Sequence, residues 1–241
     1  MTFLRSVIFN AWFFGVTVVL CLGGAVVSLV APQTTLGLGM LWARLLRGGL
    51  RAICGIRLHI VGAEHLPAHG PALIASAHQS AFDTFIWLTL LPRCCYVLKH
   101  ELLRIPVFGW LLSRTGMIAV DRSAGGAALR HLMREADRAV AEQRQIVIFP
   151  EGTRAPVGSP LPIQPGVVAL AARTRLPVIP VATDSGKCWS RRAFFKYPGT
   201  ITVVIHPPLR PGLPREALIA ALSERMHSLR PLAEPVDISV G

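Results

Sequence analysis

The sequence predicts an α/β fold, a mixed sheet flanked by helices, preceded by a membrane-embedded helical segment at the N-terminus. Three observations predict it. Short β-branched runs alternate with helical patterns from Arg57 onward, an amphipathic stripe runs between Gly125 and Gln143, and no charged residue lies between Arg5 and Arg44.

The uncharged run contains "VIFNAWFFGVTVVLCLGGAVVSLVA", Val7 to Ala31, which exceeds the ~20 apolar residues that a helix needs to cross a bilayer. A cleaved signal peptide is disfavoured, because the apolar core is too long and no Ala-x-Ala site follows it. After Pro32 a second helical pattern extends from Thr35 to Ile53, with Leu38, Leu41 and Leu45 on one side and Arg44, Arg47 and Arg51 on another. That pattern suits an interfacial helix whose arginines meet lipid phosphates, and equally an ordinary solvated basic face. The basic cluster places the rest of the chain on the cytoplasmic side under the positive-inside bias.

Seven strands are expected in order: "IRLHIV", "ALIASA", "CYVLK", "MIAVD", "QIVIFP", "PVIPVA" and "TITVVIH", each bounded by Gly, Pro or polar residues. A helix is expected over Gly125 to Gln143, with Leu129, Leu132, Met133, Ala136 and Val140 on one stripe. Another is expected over Pro214 to Leu229, and "TFIWLTLL" after Asp83 suits a third. The expected organisation is anchoring helices over 1–54, one α/β domain over 55–230 and a C-terminal tail over 231–241.

Composition narrows the partners. Hydrophobic residues make up 52% of 241 residues, which is apolar for a soluble protein, and the formal net charge of +12 favours an anionic partner. Nucleic acid is one such partner, but no nucleic-acid motif is present, so a membrane-tethered nucleic-acid-binding protein rests on charge alone. The five cysteines are scattered, without the spacing of a zinc site or a disulfide framework. "HELLR" from His100 begins like a zinc-protease helix, but Arg104 stands where the second histidine belongs, so no metal site is expected.

Two motifs carry chemistry. In "SAHQSAFD" a histidine, His78, precedes an aspartate, Asp83, by five residues. On one ideal helix such residues point about 140° apart, so they meet only if His78 lies in the turn after a strand and Asp83 in the first turn of the next helix. Asp83 then orients one ring nitrogen and leaves the other as a base toward a hydroxyl. The competing reading is a capping box in which Ser80 and Asp83 only start the helix.

The second motif is "IVIFPEGTR", a buried-looking strand that ends in Glu151, Gly152, Thr153 and Arg154. Strand ends of open α/β sheets bind ligands, glycine admits close backbone approach, and arginine forks to phosphate. The plainer reading is a polar turn with a Glu151–Arg154 surface ion pair. Lys99 and Arg122 also end strand-like segments, so Lys99, Arg122 and Arg154 can converge on one anion. There is no Gly-x-Ser-x-Gly elbow, phosphate loop or dinucleotide turn. Ser80 as a covalent nucleophile lacks a supporting pattern.

Together these blocks resemble the bacterial 1-acyl-sn-glycerol-3-phosphate acyltransferases of the glycerolipid acyltransferase family. The blocks are "HQSAFD", "GMIAVDR", "FPEGTR" and "LPVIPVA", in consistent order over about residues 55 to 210, with "KHELLRIPVFGWLL" between the first two. The resemblance implies transfer of a fatty acyl group from acyl-CoA or acyl carrier protein to the 2-hydroxyl of lysophosphatidate at the bacterial inner membrane, with no cofactor beyond the acyl donor. It implies His78 as base and Asp83 as its orienter, with Glu151, Gly152, Thr153 and Arg154 shaping the acceptor site. Arg154, Arg122 and Lys99 would hold the phosphate.

Two positions depart from the family pattern. Ala77 stands where an Asn usually precedes the histidine, and "IQPG", Ile163 to Gly166, lacks the lysine of a Phe-Lys-x-Gly element. The second departure leaves room for another lysolipid acceptor, such as lyso-ornithine lipid. "CWSRRAFFKYPG", Cys188 to Gly199, interleaves aromatic and basic residues and suits docking on a bilayer or on an acidic carrier protein, or a loop folded back on the sheet.

Overall fold

The computed structural model describes residues 1–159 and 161–230. The tail expected over 231–241 lies outside the described residues. Seven strands form one sheet: β1 (Ile56–Val61), β2 (Ala72–Ser76), β3 (Cys94–Lys99), β4 (Ile118–Val120), β5 (Gln145–Ile148), β6 (Val178–Thr183) and β7 (Gly199–Ile205), in the order β1-β7-β6-β2-β5-β3-β4. All seven sequence runs form strands. Every neighbouring pair is parallel except β6 with β7, so the sheet is mixed.

The central strands are buried on both faces, and their side chains alternate between two hydrophobic clusters. Ala72, Ile74, Val147, Ile179 and Val181 join one cluster, while Leu73, Ala75, Ile146, Ile148 and Val178 join the other. The first face is covered by α1 (Thr2–Val30), α2 (Thr35–Cys54) and α3 (Asp83–Leu90), through Phe9, Leu46, Leu50, Phe85 and Trp87. On the second face lie α5 (Gly125–Ala141), α6 (Pro165–Thr174) and α8 (Arg215–Met226), through Leu132, Ala136, Val167, Leu170, Leu218 and Leu222. Helix α6 and the short helices α4 (Phe108–Arg114) and α7 (Ser185–Cys188) have no counterpart among the sequence-predicted elements, and α4 and α7 are too short to show a 3.6-residue period.

Helix α1 is long and apolar enough to cross a membrane, and most of it is exposed. It folds back on α2 as a hairpin. The stripe of α2 that faces inward is Ala43, Leu46, Leu50 and Cys54, whereas Leu41 is exposed. Glycine sets the interface with α1: a Cβ on Gly49 would stand 2.5 Å from the Trp12 ring, and Trp12 Nε1 donates to the Leu45 carbonyl. Arg44, Arg47 and Arg51 are exposed.

Both ends of α1 touch the α/β layer. Near its start, the buried Lys196 donates from Nζ to Asn10 Oδ1 and from its backbone N–H to Ser6 Oγ, and its ammonium lies 4.8 Å from the Trp189 ring centre. Near its end, Gly24 faces Leu38 of α2 and Leu111 of α4. In the 188–199 loop Phe194, Phe195 and Tyr197 are exposed beside Phe3 of α1, while Trp189 and Lys196 fold inward. The loop is therefore folded back on the sheet in part, with an aromatic edge left outward.

Candidate active site

Strand β2 ends at Ser76, and the chain continues one residue further in sheet geometry, with the Ala77 N–H donating to the Val181 carbonyl at 2.9 Å. His78 follows. Its backbone is fixed at both polar groups: the N–H donates to Glu151 Oε2 at 2.7 Å and the carbonyl accepts from Ala155 N–H at 2.7 Å. Helix α3 starts at Asp83, so the pair spans the strand-to-helix turn.

His78 Nδ1 lies 3.1 Å from Asp83 Oδ2. A carboxylate only accepts, so Nδ1 carries the proton and donates, which leaves Nε2 with a lone pair. The same Oδ2 accepts the backbone N–H groups of Gln79 and Ser80, each at 2.7 Å, and Ser80 Oγ accepts from Phe82 N–H. A single Asp83 oxygen thus ties together the turn that leads into α3 and holds one ring nitrogen of His78. The helix itself carries no side-chain cap, so Ser80 and Asp83 brace the turn before it rather than its first turn. Phe149 stacks on the imidazole with ring centres 4.1 Å apart and fixes the plane of the ring.

The turn after β5 forms the opposite wall. Gly152 N–H donates to the Phe149 carbonyl, and Gly152 has φ +71°, a left-handed conformation that favours glycine. Its carbonyl accepts from Arg122 Nη1, so two of the sequence-predicted residues meet here. Glu151 points inward, is 4% exposed and pairs with the His78 backbone rather than with Arg154. Burial pushes its carboxyl pKa up to about 7, with the Asp83 charge adding and the His78 N–H opposing. A surface ion pair between Glu151 and Arg154 is therefore not what this turn contains.

Thr153 is exposed on the same turn, and Arg154 is half-buried. Burial lowers the pKa of the Arg154 guanidinium, Asp83 opposes that shift, and Arg191 and Arg192 of the 188–199 loop reinforce it. Lys99 is not drawn into this turn. It ends β3 on the surface and pairs with Glu101 Oε1 at 3.1 Å. Ala77 is fully packed in the second cluster, and Gln164 of the "IQPG" element donates its backbone N–H to the Pro150 carbonyl, bracing the turn without a cation.

Three contacts were not expected from sequence. The Gln79 side chain accepts from Gly186 N–H and ties α7 to the histidine turn. The approach of Arg191 and Arg192 to Arg154 brings together positions far apart in sequence. His227, at the end of α8, places Nε2 3.8 Å from Glu151 Oε1. Nothing in the sequence near His227 signals that approach. Among the described residues no group of three His, Cys, Asp or Glu side chains is arranged to hold a metal ion.

A doubly covered sheet that presents a histidine–carboxylate pair at its strand ends, facing a glycine-arginine turn, defines an α/β enzyme of hydroxyl-directed group transfer. Residues 57–184 match the sequence profile of the acyltransferase family. The chain is 39% identical to the 1-acyl-sn-glycerol-3-phosphate acyltransferase of Pseudomonas aeruginosa, over 78% of this chain and 72% of that one. It is 32% identical to the human 1-acyl-sn-glycerol-3-phosphate acyltransferase alpha, over 77% of this chain and 67% of that one. The crystal structure of the 1-acyl-sn-glycerophosphate acyltransferase from Thermotoga maritima superposes with a TM-score of 0.76, at 23% identity, over 94% of this chain and 95% of that one, and shows the same fold. The chain belongs to the acyltransferase family and is an acyl-transfer enzyme.

Proposed function

We propose that this enzyme transfers a fatty acyl group from acyl-CoA or acyl carrier protein to the 2-hydroxyl of 1-acyl-sn-glycerol 3-phosphate and forms phosphatidate for phospholipid synthesis. The observation that carries the reading is the free Nε2 of His78, oriented through Nδ1 by Asp83, beside the turn that bears Arg122 and Arg154. His78 Nε2 takes the proton of the acceptor hydroxyl as its oxygen attacks the thioester carbon. Asp83 stabilises the imidazolium. The C–S bond breaks, and the proton passes from His78 to the departing thiolate. No acyl-enzyme is needed. Arg122 and Arg154 hold the acceptor phosphate, and Gly152 and Thr153 shape the pocket backbone.

The names of the relatives support lysophosphatidate as acceptor. The absence of a lysine at Ile163–Gly166 favours keeping a second reading, acylation of a lysolipid without a phosphate monoester such as lyso-ornithine lipid. Either reading has the chain at the bacterial inner membrane, facing the cytoplasm. Because both ends of α1 pack on the α/β layer, the hairpin lies along one leaflet in this reading, with its exposed apolar side in the acyl region.

A panel of lysolipids offered to the purified enzyme with both donors tests the proposal. Transfer to lysophosphatidate that is lost in His78→Ala supports it. Preference for an acceptor without phosphate overturns the acceptor, and full activity of His78→Ala overturns the mechanism.

A further inference from the structure

The end of the sheet opposite His78 carries a second concentration of charge. Arg93 and Arg144 immediately precede β3 and β5 and Gly116 lies two residues before β4, whereas His78 and Glu151 follow β2 and β5. Between them opens a cleft of about 380 Å³, lined by the guanidinium groups of Arg93, Arg114, Arg138 and Arg144 against one carboxylate, Glu142.

The floor of the cleft is built. Arg144 is 4% exposed, with Nη1 donating to the Gly116 carbonyl at 2.7 Å and Nη2 to the Cys94 and Thr115 carbonyls at 2.8 Å each. The backbone is shaped around it: Gly116 has φ +70°, and a Cβ there would lie 2.0 Å from Arg144 Nη1. Arg138 is bound by Glu135 at 2.9 Å, and Glu142 lies 3.8 Å from both Arg138 and Arg144. Arg93 and Arg114 meet no carboxylate among the described residues, and Arg114 instead lies over the Trp110 ring at 4.2 Å. Two arginines without a carboxylate partner, beside an arginine fixed by three carbonyls, offer the donor forks that suit a phosphate.

Apolar residues border the cleft: Pro32 from the turn between α1 and α2 and Leu36 from the first turn of α2 line it, and the lining residue Arg114 packs over the Trp110 ring of α4. The end of α1 is also exposed at Val26, Val27 and Val30. Cations that border an apolar surface, with one of them over a tryptophan, sit where lipid headgroups meet acyl chains.

We propose that this cleft is a second anion site, separate from the catalytic end, that takes the phosphate of an acidic phospholipid headgroup and seats the enzyme on the bilayer. The site stands independently of the acyl-acceptor assignment, because it concerns binding and not turnover. A free phosphate compound offers the same chemistry, and the experiment separates the two sources.

The test compares the full chain with Arg93→Ser/Arg114→Ser and with a charge-matched control, Arg57→Ser/Arg215→Ser, whose residues are exposed elsewhere. Two readouts are taken: partition onto phosphatidylcholine vesicles with and without one-fifth phosphatidylglycerol, and the melting shift with inorganic phosphate against chloride of equal ionic strength. The cleft variant is expected to lose about tenfold of its preference for anionic vesicles relative to the control, with acyl transfer in neutral detergent micelles unchanged. Loss confined to the phosphate-induced shift assigns the site to a free phosphate ligand. Equal losses in both double variants, or no loss in either readout, overturn the proposal.

Discussion

Glu151 Oε2 accepts the backbone N–H of His78 at 2.7 Å, so the second motif holds the first in place by its main chain. The carboxyl is buried, and its pKa lies at about 7 against an ordinary value of 4.5. Between those values the folded protein keeps a proton that the unfolded chain has lost, so stability falls as pH rises through this window. Comparing thermal melts in neutral detergent at pH 4 and pH 8, wild type is expected to lose on the order of 3 kcal/mol more than Glu151→Gln, whose amide oxygen still accepts from His78. Parallel pH slopes in the two proteins would refute this.

Asp83 has two tasks, and substitutions separate them. Asp83→Asn keeps an oxygen for the Gln79 and Ser80 N–H groups but no charge for the imidazolium. We expect transfer to fall about 10²-fold or more with a melting temperature close to wild type. Asp83→Ala also abandons the buried Ser80 N–H and the part-buried Gln79 N–H and is expected to lose roughly 1–3 kcal/mol of stability. Similar melting temperatures for the two variants would show that these turn contacts contribute little.

The cations at the strand ends are not equivalent. Arg122 reaches the Gly152 carbonyl, while Lys99 pairs with Glu101 at the surface. Arg122→Ala is expected to raise KM for a phosphate-bearing acceptor roughly tenfold to a hundredfold, on the scale of one charge-assisted contact, and Lys99→Ala to change it by only a few-fold. Steady-state kinetics on the two variants decide the order, and an equal or larger effect at Lys99 would contradict this placement.

Lys196 bonds Asn10 and the Phe194 carbonyl from a buried position. Lys196→Met fills similar space and leaves Asn10 Oδ1 without this donor. A loss of about 1–3 kcal/mol is expected, with faster proteolysis of α1 and of the 188–199 loop together. Proteolysis of one without the other would show that Lys196 does not couple them.

Much of this was legible in the chain. The β-branched runs gave away all seven strands, and most clearly β2, β5 and β6, because strands buried on both faces need apolar residues at nearly every position. The spacing of His78 and Asp83 admitted one meeting geometry, across a turn, and that geometry is present. The inward stripe of α2 was not legible, because Gly49 contributes to the interface by having no side chain. The approach of His227 to Glu151, and of Arg191 and Arg192 to Arg154, depends on how distant segments return to one sheet end. No local pattern encodes such a return.

The hairpin has a last consequence. Phe9, Leu46 and Leu50 share a cluster with Phe85, Trp87 and the underside of β2. The boundary expected at residue 54 therefore runs through one shared interior. A fragment begun at residue 55 to obtain a water-soluble enzyme would bare that shared interior, and is expected to aggregate. For this enzyme, solubility is better sought by replacing the outward residues of α1, such as Val18, Val19, Leu22 and Val26, with the hairpin left whole.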